Sequence, residues 1–134
     1  MKNNAVWIKV VFALSGLYDL LFGLVFLCFW RRIYLQQGIT PPNHHAYIQF
    51  PALLLMLFGV MFFQIAKEPS ANRNMIPYGM GLKAAYCIVI FWHVLKHAMP
   101  FLWVPFAWID LVFFILFAAA YRLIGAAEPT PASS

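Results

Sequence analysis

The chain has 134 residues, of which 64% are hydrophobic and 10% are charged, and its formal net charge is +5. Soluble domains carry about 25% charged residues, so this chain has too few polar side chains to cover a surface in water. Its nine basic residues are scattered among apolar stretches and short loops, a pattern that excludes nucleic acid as a partner. The composition predicts one membrane domain over 1–134, with the lipid bilayer as its main solvent.

Four stretches of the chain are long and apolar enough to span a membrane, which takes about 20 residues. They run over about 5–30, 46–66, 76–94 (or as far as His97) and 102–124. The first is expected to continue as an interfacial helix through 31–37 and to stop at Gly38. Asn43 is a candidate N-cap for the second span, where Pro51 predicts a kink or a later helix start. The segment 126–134, rich in Ala, Pro and Ser, is predicted to be a disordered tail.

The loops between these spans are short, so successive helices must run in opposite directions. The predicted fold is therefore all-α: an integral membrane four-helix bundle, up-down-up-down and antiparallel. Four crossings place both termini on one side of the membrane. More Lys and Arg residues flank that side than the other, which favours cytoplasmic termini in a bacterial inner membrane.

Small residues on the first three spans are expected to let neighbouring helices approach closely. The residues expected to have this role are Ser15, Gly16 and Gly23 on the first span, Gly59 on the second, and Gly79, Gly81 and Ala85 on the third. On the third span, Gly81 and Ala85 form a pair of small residues four positions apart.

The third span carries four polar side chains whose spacing places them on one helical face: Lys83, Tyr86, His93 and His97. Lys83 lies about 10 Å inside the membrane, where an unpaired ammonium would cost about 3 kcal/mol or more. Acids at comparable depth are Asp19 and Asp110. Asp19 differs from Lys83 by about one helical turn in depth, so Asp19–Lys83 is the predicted main pair. Asp110 with His93 or Tyr86 is the predicted second pair.

Three interpretations of this polar network are open, the third being contact with a partner subunit. In the first, the ion pairs only fix the register and packing of the helices. In the second, they handle protons or ions, because ionisable groups inside a membrane commonly mark such pathways. The second interpretation makes the protein a small proton-coupled transporter or channel element built on Asp19, Lys83 and Asp110.

The histidines form a second group of candidate site residues. His44 and His45 precede the second span, and His93 and His97 end the third at positions i and i+4. The predicted topology brings all four to the outer side of the membrane. Imidazoles at this spacing could bind zinc or copper, or hold a haem between the second and third spans. The favoured interpretation is a set of interfacial histidines that bind loops and headgroups, with no cofactor.

Two segments, together with the length and hydropathy of the chain, resemble small bacterial four-helix membrane proteins of the DoxX-like kind. The segments are Ser15-Gly16-Leu17-Tyr18-Asp19-Leu20-Leu21-Phe22-Gly23 and Asn72-Arg73-Asn74-Met75-Ile76-Pro77-Tyr78-Gly79. The resemblance implies a four-helix membrane bundle that serves as an accessory subunit of a membrane redox system. It assigns no functional residue.

The sequence does not favour an enzyme, since it has no phosphate-binding glycine loop, no C-x-x-C and no Ser/His/Asp triad pattern. The favoured function is a non-catalytic accessory or assembly subunit of a membrane complex. Its partner would be another membrane protein or a second copy of the chain. The other hypotheses are the proton-coupled element and a metal or haem protein that uses His93 and His97.

Overall fold

The computed structural model describes residues 2–127, with side chains described from Ala5 onward. Four long helices run in antiparallel succession through this part of the chain. They are α1 (Lys2–Gln36), α2 (Ala46–Lys67), α3 (Ile76–Leu95) and α4 (Val104–Ala127). Short 3-10 turns at Arg73–Met75 and Phe101–Trp103 lead into α3 and α4. The predicted all-α four-helix bundle is confirmed.

Each of the four helices is long and apolar enough to cross a membrane. Their outward faces carry large apolar side chains, which hydrocarbon would solvate. Examples are Leu14 at 54% exposure, Leu57 at 64%, Val89 at 54% and Ile115 at 59%. Because a helix satisfies its own backbone hydrogen bonds, all four segments suit a solvent without hydrogen-bonding groups.

α1 ends at the predicted stop, Gly38, in a Schellman motif. Gly38 has a φ of 62°, in the left-handed region that favours glycine. Its amide donates to the Leu35 carbonyl at 3.3 Å, and the Ile39 amide donates to the Tyr34 carbonyl at 2.9 Å. The predicted continuation of the first span is confirmed, because α1 is one helix as far as Gln36.

α2 begins at Ala46, and its first turns correct two predictions. The N-cap position is His45 rather than Asn43. The Ala46 amide donates to Nδ1 of His44 at 3.2 Å, whereas the His45 side chain makes no cap hydrogen bond. Pro51 lies inside the helix, so the later start is wrong. A proline near the start of a helix removes only one intrahelical hydrogen bond, which α2 tolerates.

α4 continues to Ala127, two residues into the segment 126–134 that was predicted to be disordered. The prediction is wrong for these two alanines, which are good helix formers and extend the last turn. Residues 128–134 lie outside the described residues.

The bundle consists of two helical hairpins. α1 packs closely along α2 and α3 along α4, whereas α2 and α3 meet at few residues. The predicted close approach of α1 and α2 is confirmed: a Cβ on Gly59 would lie 2.8 Å from the Gly16 carbonyl oxygen, and one on Gly23 would also collide with α2. On α3 the prediction is confirmed for Gly79, where a Cβ would collide with the Phe62 ring of α2, and it is wrong for the pair Gly81 and Ala85. Gly81 has open space where a Cβ would be, and Ala85 is exposed.

Two apolar clusters fill the interior at different depths. The cluster nearer the termini consists of Ile8, Phe12, Phe62, Ile65, Ile76, Phe117, Ala120 and Ile124. The cluster nearer the α1–α2 connection consists of Phe26, Trp30, Ile48 and Ala52. The charged residues of the interior lie between these clusters along the helices.

Candidate functional site

Three charged side chains from three helices meet in the interior of the bundle. Nζ of Lys83 on α3 donates a hydrogen bond to Oδ1 of Asp19 on α1 at 2.6 Å. The same Nζ lies 2.9 Å from Oδ1 of Asp110 on α4. The relative exposures of Lys83, Asp19 and Asp110 are 0%, 1% and 6%. Within the range 5–127, these three are the charged residues that are buried. The predicted contact between Asp19 and Lys83 is present, and Asp110 completes a triad.

The predicted second pair is wrong, because the partner of Asp110 is Lys83 rather than His93 or Tyr86. The Tyr86 hydroxyl donates to the Trp103 carbonyl at 3.3 Å. His93 is exposed near the end of α3. A lysine has a long stem and three N–H donors, so Lys83 reaches acids on two helices at once. The prediction of His93 or Tyr86 had used only the depth of each residue in the membrane.

Each charged residue occupies an inward position in a repeat of three and four residues, the spacing of one helical face. On α3 the buried residues are Ile76, Gly79, Lys83, Cys87 and Ile90. On α4 they include Ala107, Asp110 and Phe117. The charges therefore interrupt stripes that are otherwise apolar or small. The helical pattern that buries the core also turns the triad inward.

The two carboxyl groups are not satisfied equally. Lys83 directs a hydrogen bond at Asp19, whereas its contact with Asp110 has ion-pair distance without hydrogen-bond alignment. Asp19 Oδ2 and Asp110 Oδ1 are buried with no hydrogen-bond partner among the described residues. Two ionised carboxylates and one ammonium would leave one uncompensated negative charge. One proton on either carboxyl would make the triad neutral and add an O–H donor.

Aromatic rings surround the ammonium group of Lys83. Its Nζ lies 5.0 Å from the ring centroid of Tyr18, 5.5 Å from that of Phe113 and 5.6 Å from that of Phe62. Rings within about 6 Å attract a cation through their negative faces. Sequence reasoning missed these residues, although Tyr18 precedes Asp19 directly. Ser15, fully buried one turn before Asp19, was also missed as part of this polar layer.

A small cavity of about 50 Å³ adjoins the triad. Its walls are Tyr18, Asp19, Phe22, Leu55, Leu82, Tyr86, Phe106 and Asp110. A space of this size can hold a few water-sized molecules, because one water needs about 10–15 Å³ measured in this way. Both acids of the triad border the cavity, so a proton carried by water would reach either of them there.

Other titratable groups near the triad come from α1 and α3. Tyr18 and Tyr86 line the cavity together with the two acids. Cys87 is buried one turn beyond Lys83, and its Sγ donates to the Ala107 carbonyl at 3.2 Å. α2 contributes Leu55 and Phe62, which do not titrate. A proton arriving at the triad therefore meets two carboxyls, two phenols and one thiol.

The predicted i, i+4 histidine face does not form. α3 ends at Leu95, and His97 has a φ of 52°, which takes it off the helix. The His97 amide donates to the Val94 carbonyl at 2.9 Å and the Ala98 amide to the His93 carbonyl at 3.0 Å. His97 therefore fills the left-handed position of a Schellman motif, which glycine usually fills.

The two histidines before α2 contact neighbouring residues of the α1–α2 connection. The His45 ring packs on Trp30 with 4.8 Å between centroids, and its Nε2 lies 3.4 Å from Nη2 of Arg31. His44 accepts a hydrogen bond from the Ala46 amide. Within the described residues, no three His, Cys, Asp or Glu side chains are grouped so that they could hold a metal. Binding of zinc, copper or haem, the less favoured hypothesis for these histidines, stays untested.

Four apolar helices of spanning length, with Asp19, Lys83 and Asp110 turned inward, define a multi-pass membrane protein with a charged triad in its interior. Comparison with family models, with curated proteins and with solved structures finds no match to this chain. The resemblance to DoxX-like proteins stays a prediction, and functional proposals must rest on the triad and its surroundings.

Proposed function

We propose that the Asp19–Lys83–Asp110 triad binds and releases a proton, and that the protein is a small proton-coupled transporter or channel element. The observation that carries the proposal is the ratio of two buried carboxyls to one buried ammonium. An uncompensated charge inside a membrane costs about 3 kcal/mol or more. Uptake of one proton by the triad removes that charge, so a proton is the ligand that this site needs.

The position of the triad couples its proton to the packing of the helices. Asp19 belongs to the α1–α2 hairpin, while Lys83 and Asp110 belong to the α3–α4 hairpin. A proton on Asp19 removes the charge that Lys83 pairs with across the two hairpins. Lys83 then keeps only Asp110, within its own hairpin. Protonation of Asp19 therefore weakens the link between the hairpins, and loss of the proton restores it.

Proton movement in liposomes tests this function. The purified chain is reconstituted with a pH-sensitive dye inside, and a potassium gradient with valinomycin drives proton entry. We expect proton uptake by the unaltered protein, and loss of most of that uptake in Asp19→Asn and in Asp110→Asn. Glu68→Gln is the matched control, because Glu68 is an exposed acid on the α2–α3 connection. Unchanged uptake in Asp19→Asn would contradict the proposal and favour a purely structural triad.

A second role, that of accessory or assembly subunit, is favoured by the short connections. The segments 37–45, 68–72 and 96–100 are all that joins the helical segments, so little of the described chain lies outside the membrane. Partner binding would then use helix faces within the bilayer, and an accessory role is what the resemblance to DoxX-like proteins implies. Native mass spectrometry of the gently solubilised protein tests it. Recovery of the chain only alone or with itself would count against this role.

We place the protein in a bacterial inner membrane with both termini in the cytoplasm, and the distribution of Lys and Arg supports this placement. Labelling of single cysteines in intact cells tests it, in a background with Cys28 and Cys87 replaced by serine. An impermeant maleimide should label Asn43→Cys on the α1–α2 connection and leave Ser70→Cys on the α2–α3 connection unlabelled. The reverse pattern would invert the topology.

A further inference from the structure

A lateral groove of about 550 Å³ lies where α2 and α3 diverge. Tyr47, Pro51 and Leu54 from α2 form one wall, and Ala85 and Val89 from α3 form the other. The exposed fractions of Leu54, Tyr47 and Val89 are 37%, 67% and 54%, so the groove opens on the outside of the bundle. In a membrane this outside is hydrocarbon. A ligand would therefore enter from the bilayer, and the volume suits a drug-sized molecule.

Aromatic side chains make up much of the groove. They are Phe22, Phe26, Tyr34, Tyr47, Tyr86 and Trp103. Aromatic faces favour cations, and the gain grows where water is excluded. A groove lined in this way suits an apolar molecule with a positive charge.

The groove reaches the triad through a single layer of side chains. Phe22, Leu55, Leu82 and Tyr86 line both the groove and the small cavity that Asp19 and Asp110 border. These four residues therefore form the partition between the two spaces. At the low dielectric of a membrane interior, charge attraction is felt across such a layer.

We propose that this groove, defined by α2 and α3, binds a lipophilic cation that displaces the proton of the triad. This inference rests on the proposed function, because it needs a triad that carries one proton when the groove is empty. The exchange balances in charge and atoms. One carboxylic acid of the triad releases its proton to water, and the carboxylate so formed is compensated by the cation in the groove.

Charge complementarity selects this occupant over neutral or anionic ones. The triad holds two acids for one ammonium, and Lys83 is the buried base of the range 5–127. An anion or a neutral molecule in the groove could not compensate the carboxylate that forms when the triad releases its proton. Arg31 and other bases near the α1–α2 connection are exposed, where water and salt screen them.

A second groove of about 430 Å³, between α1 and α4, also borders the triad layer and serves as an internal comparison. It is lined by Tyr18, Leu21, Phe22, Val25, Phe26, Ile33, Leu102 and Phe106. Tyr18 is the one phenol of this groove, whereas the larger groove has the phenols of Tyr34, Tyr47 and Tyr86 and the indole of Trp103. We therefore assign the cation to the groove between α2 and α3.

The first experiment compares two probes of matched shape and opposite charge on the full chain in detergent. Isothermal titration measures the affinity of tetraphenylphosphonium, a cation, and of tetraphenylborate, an anion. We expect the cation to bind at least about tenfold more tightly, a difference of about 1.4 kcal/mol. A pH indicator in weakly buffered solution should record release of about one proton per cation bound. Equal affinity for the two probes, or cation binding without proton release, would overturn the inference.

The second experiment fills each groove in turn with a tryptophan. Ala85→Trp, in the groove between α2 and α3, should weaken tetraphenylphosphonium binding about tenfold or more. Val25→Trp, in the other groove, and Ala119→Trp, at an exposed position of α4, should leave the affinity unchanged. Loss of binding in Val25→Trp but not in Ala85→Trp would place the ligand elsewhere and overturn the assignment.

The outcomes separate this inference from the proposed function. Proton uptake in liposomes that depends on Asp19 and Asp110, together with no preference for the cation, would remove only the inference. Absence of that uptake would remove both. If a tryptophan variant fails to fold, the comparison of the two probes on the unaltered chain still decides the question.

Discussion

The interface between α1 and α2 is tightly packed, whereas the boundary between α2 and α3 that contains the larger groove, here called the seam, is open. In the interface, Gly16 and Gly59 bring the two backbones together so closely that a Cβ would collide with a carbonyl oxygen. In the seam, Ala85 and Val89 face a groove of about 550 Å³. α2 is thus tightly held on one side and nearly unpaired on the other.

The difference shows that close packing holds one part of this bundle together and that an ion pair holds another. Lipid tails are as apolar as leucine, so helices associate in a membrane through close packing and polar contacts. Glycine packing fixes the α1–α2 hairpin. The α3–α4 hairpin is joined to it by fewer contacts, among which the Asp19–Lys83 ion pair is buried and short. Substitutions in the two regions should therefore fail in different ways.

The largest effect is expected from Lys83→Met, which removes the ammonium that links the hairpins. Two buried acids then lose their counter-ion, and removal of one partner of a buried ion pair costs about 3–5 kcal/mol. Unfolding in SDS, followed by circular dichroism, should show that loss relative to the unaltered chain.

The control for this prediction is the triple variant Asp19→Asn, Lys83→Met, Asp110→Asn. It has similar side-chain volumes and no buried charge. Because neutral replacement of a whole buried ionic group is often tolerated, its free energy of unfolding should return most of the way to that of the unaltered chain. If Lys83→Met is as stable as the unaltered protein, the ion pair does not hold the hairpins together.

The next effect is expected from Gly59→Ala in the tight interface. The added Cβ would lie 2.8 Å from the Gly16 carbonyl oxygen, so the helices must separate. Overpacking of this kind costs about 1–3 kcal/mol. The matched substitution is Gly81→Ala on α3, where the Cβ meets open space. There the variant should gain up to about 1 kcal/mol, since alanine is the better helix former. Equal changes at the two sites would mean that the interface is as loose as the seam.

Much of this fold follows from the sequence because its signals are local. The length and apolar character of each span give four helices, and Gly38 marks the end of α1. The contact between Asp19 and Lys83 was also predictable, since a deep ammonium needs an acid at similar depth. None of these conclusions depends on how one helix is rotated against another.

The remaining features depend on rotation and could not be predicted. Depth placed Asp110 nearer to Tyr86, but α4 turns Asp110 towards Lys83. The rings of Phe62 and Phe113 join the site from inward positions that resemble any other core position. Hydropathy is also blind to the unequal packing of the helices, because lipid-facing and groove-lining side chains are equally apolar. The seam could be found only from the three-dimensional structure.

A smaller effect is expected from Tyr86→Phe, which removes the hydrogen bond from the Tyr86 hydroxyl to the Trp103 carbonyl. This contact ties one wall of the seam to the 3-10 turn that leads into α4, so its loss should cost about 0.5–1.5 kcal/mol. Tyr78→Phe is the control, at a tyrosine that is 71% exposed, and should change stability by less than about 0.5 kcal/mol. Equal effects of the two substitutions would show that the seam wall does not depend on this bond.

The smallest effect is expected from His97→Gly, at the end of α3. His97 has a φ of 52°, in the left-handed region. In a regular left-handed helix this conformation costs a non-glycine residue about 1–2 kcal/mol. A single residue in a helix cap has a smaller cost. The more flexible unfolded chain offsets part of the relief, so a gain of up to about 1 kcal/mol is expected in the same SDS unfolding assay. Leu95→Gly, inside the last turn, should instead destabilise α3.

Because His97 lies outside both helix interfaces, the gain expected from His97→Gly would stabilise α3 without altering the seam. A marked loss in His97→Gly would instead point to a binding role for the imidazole.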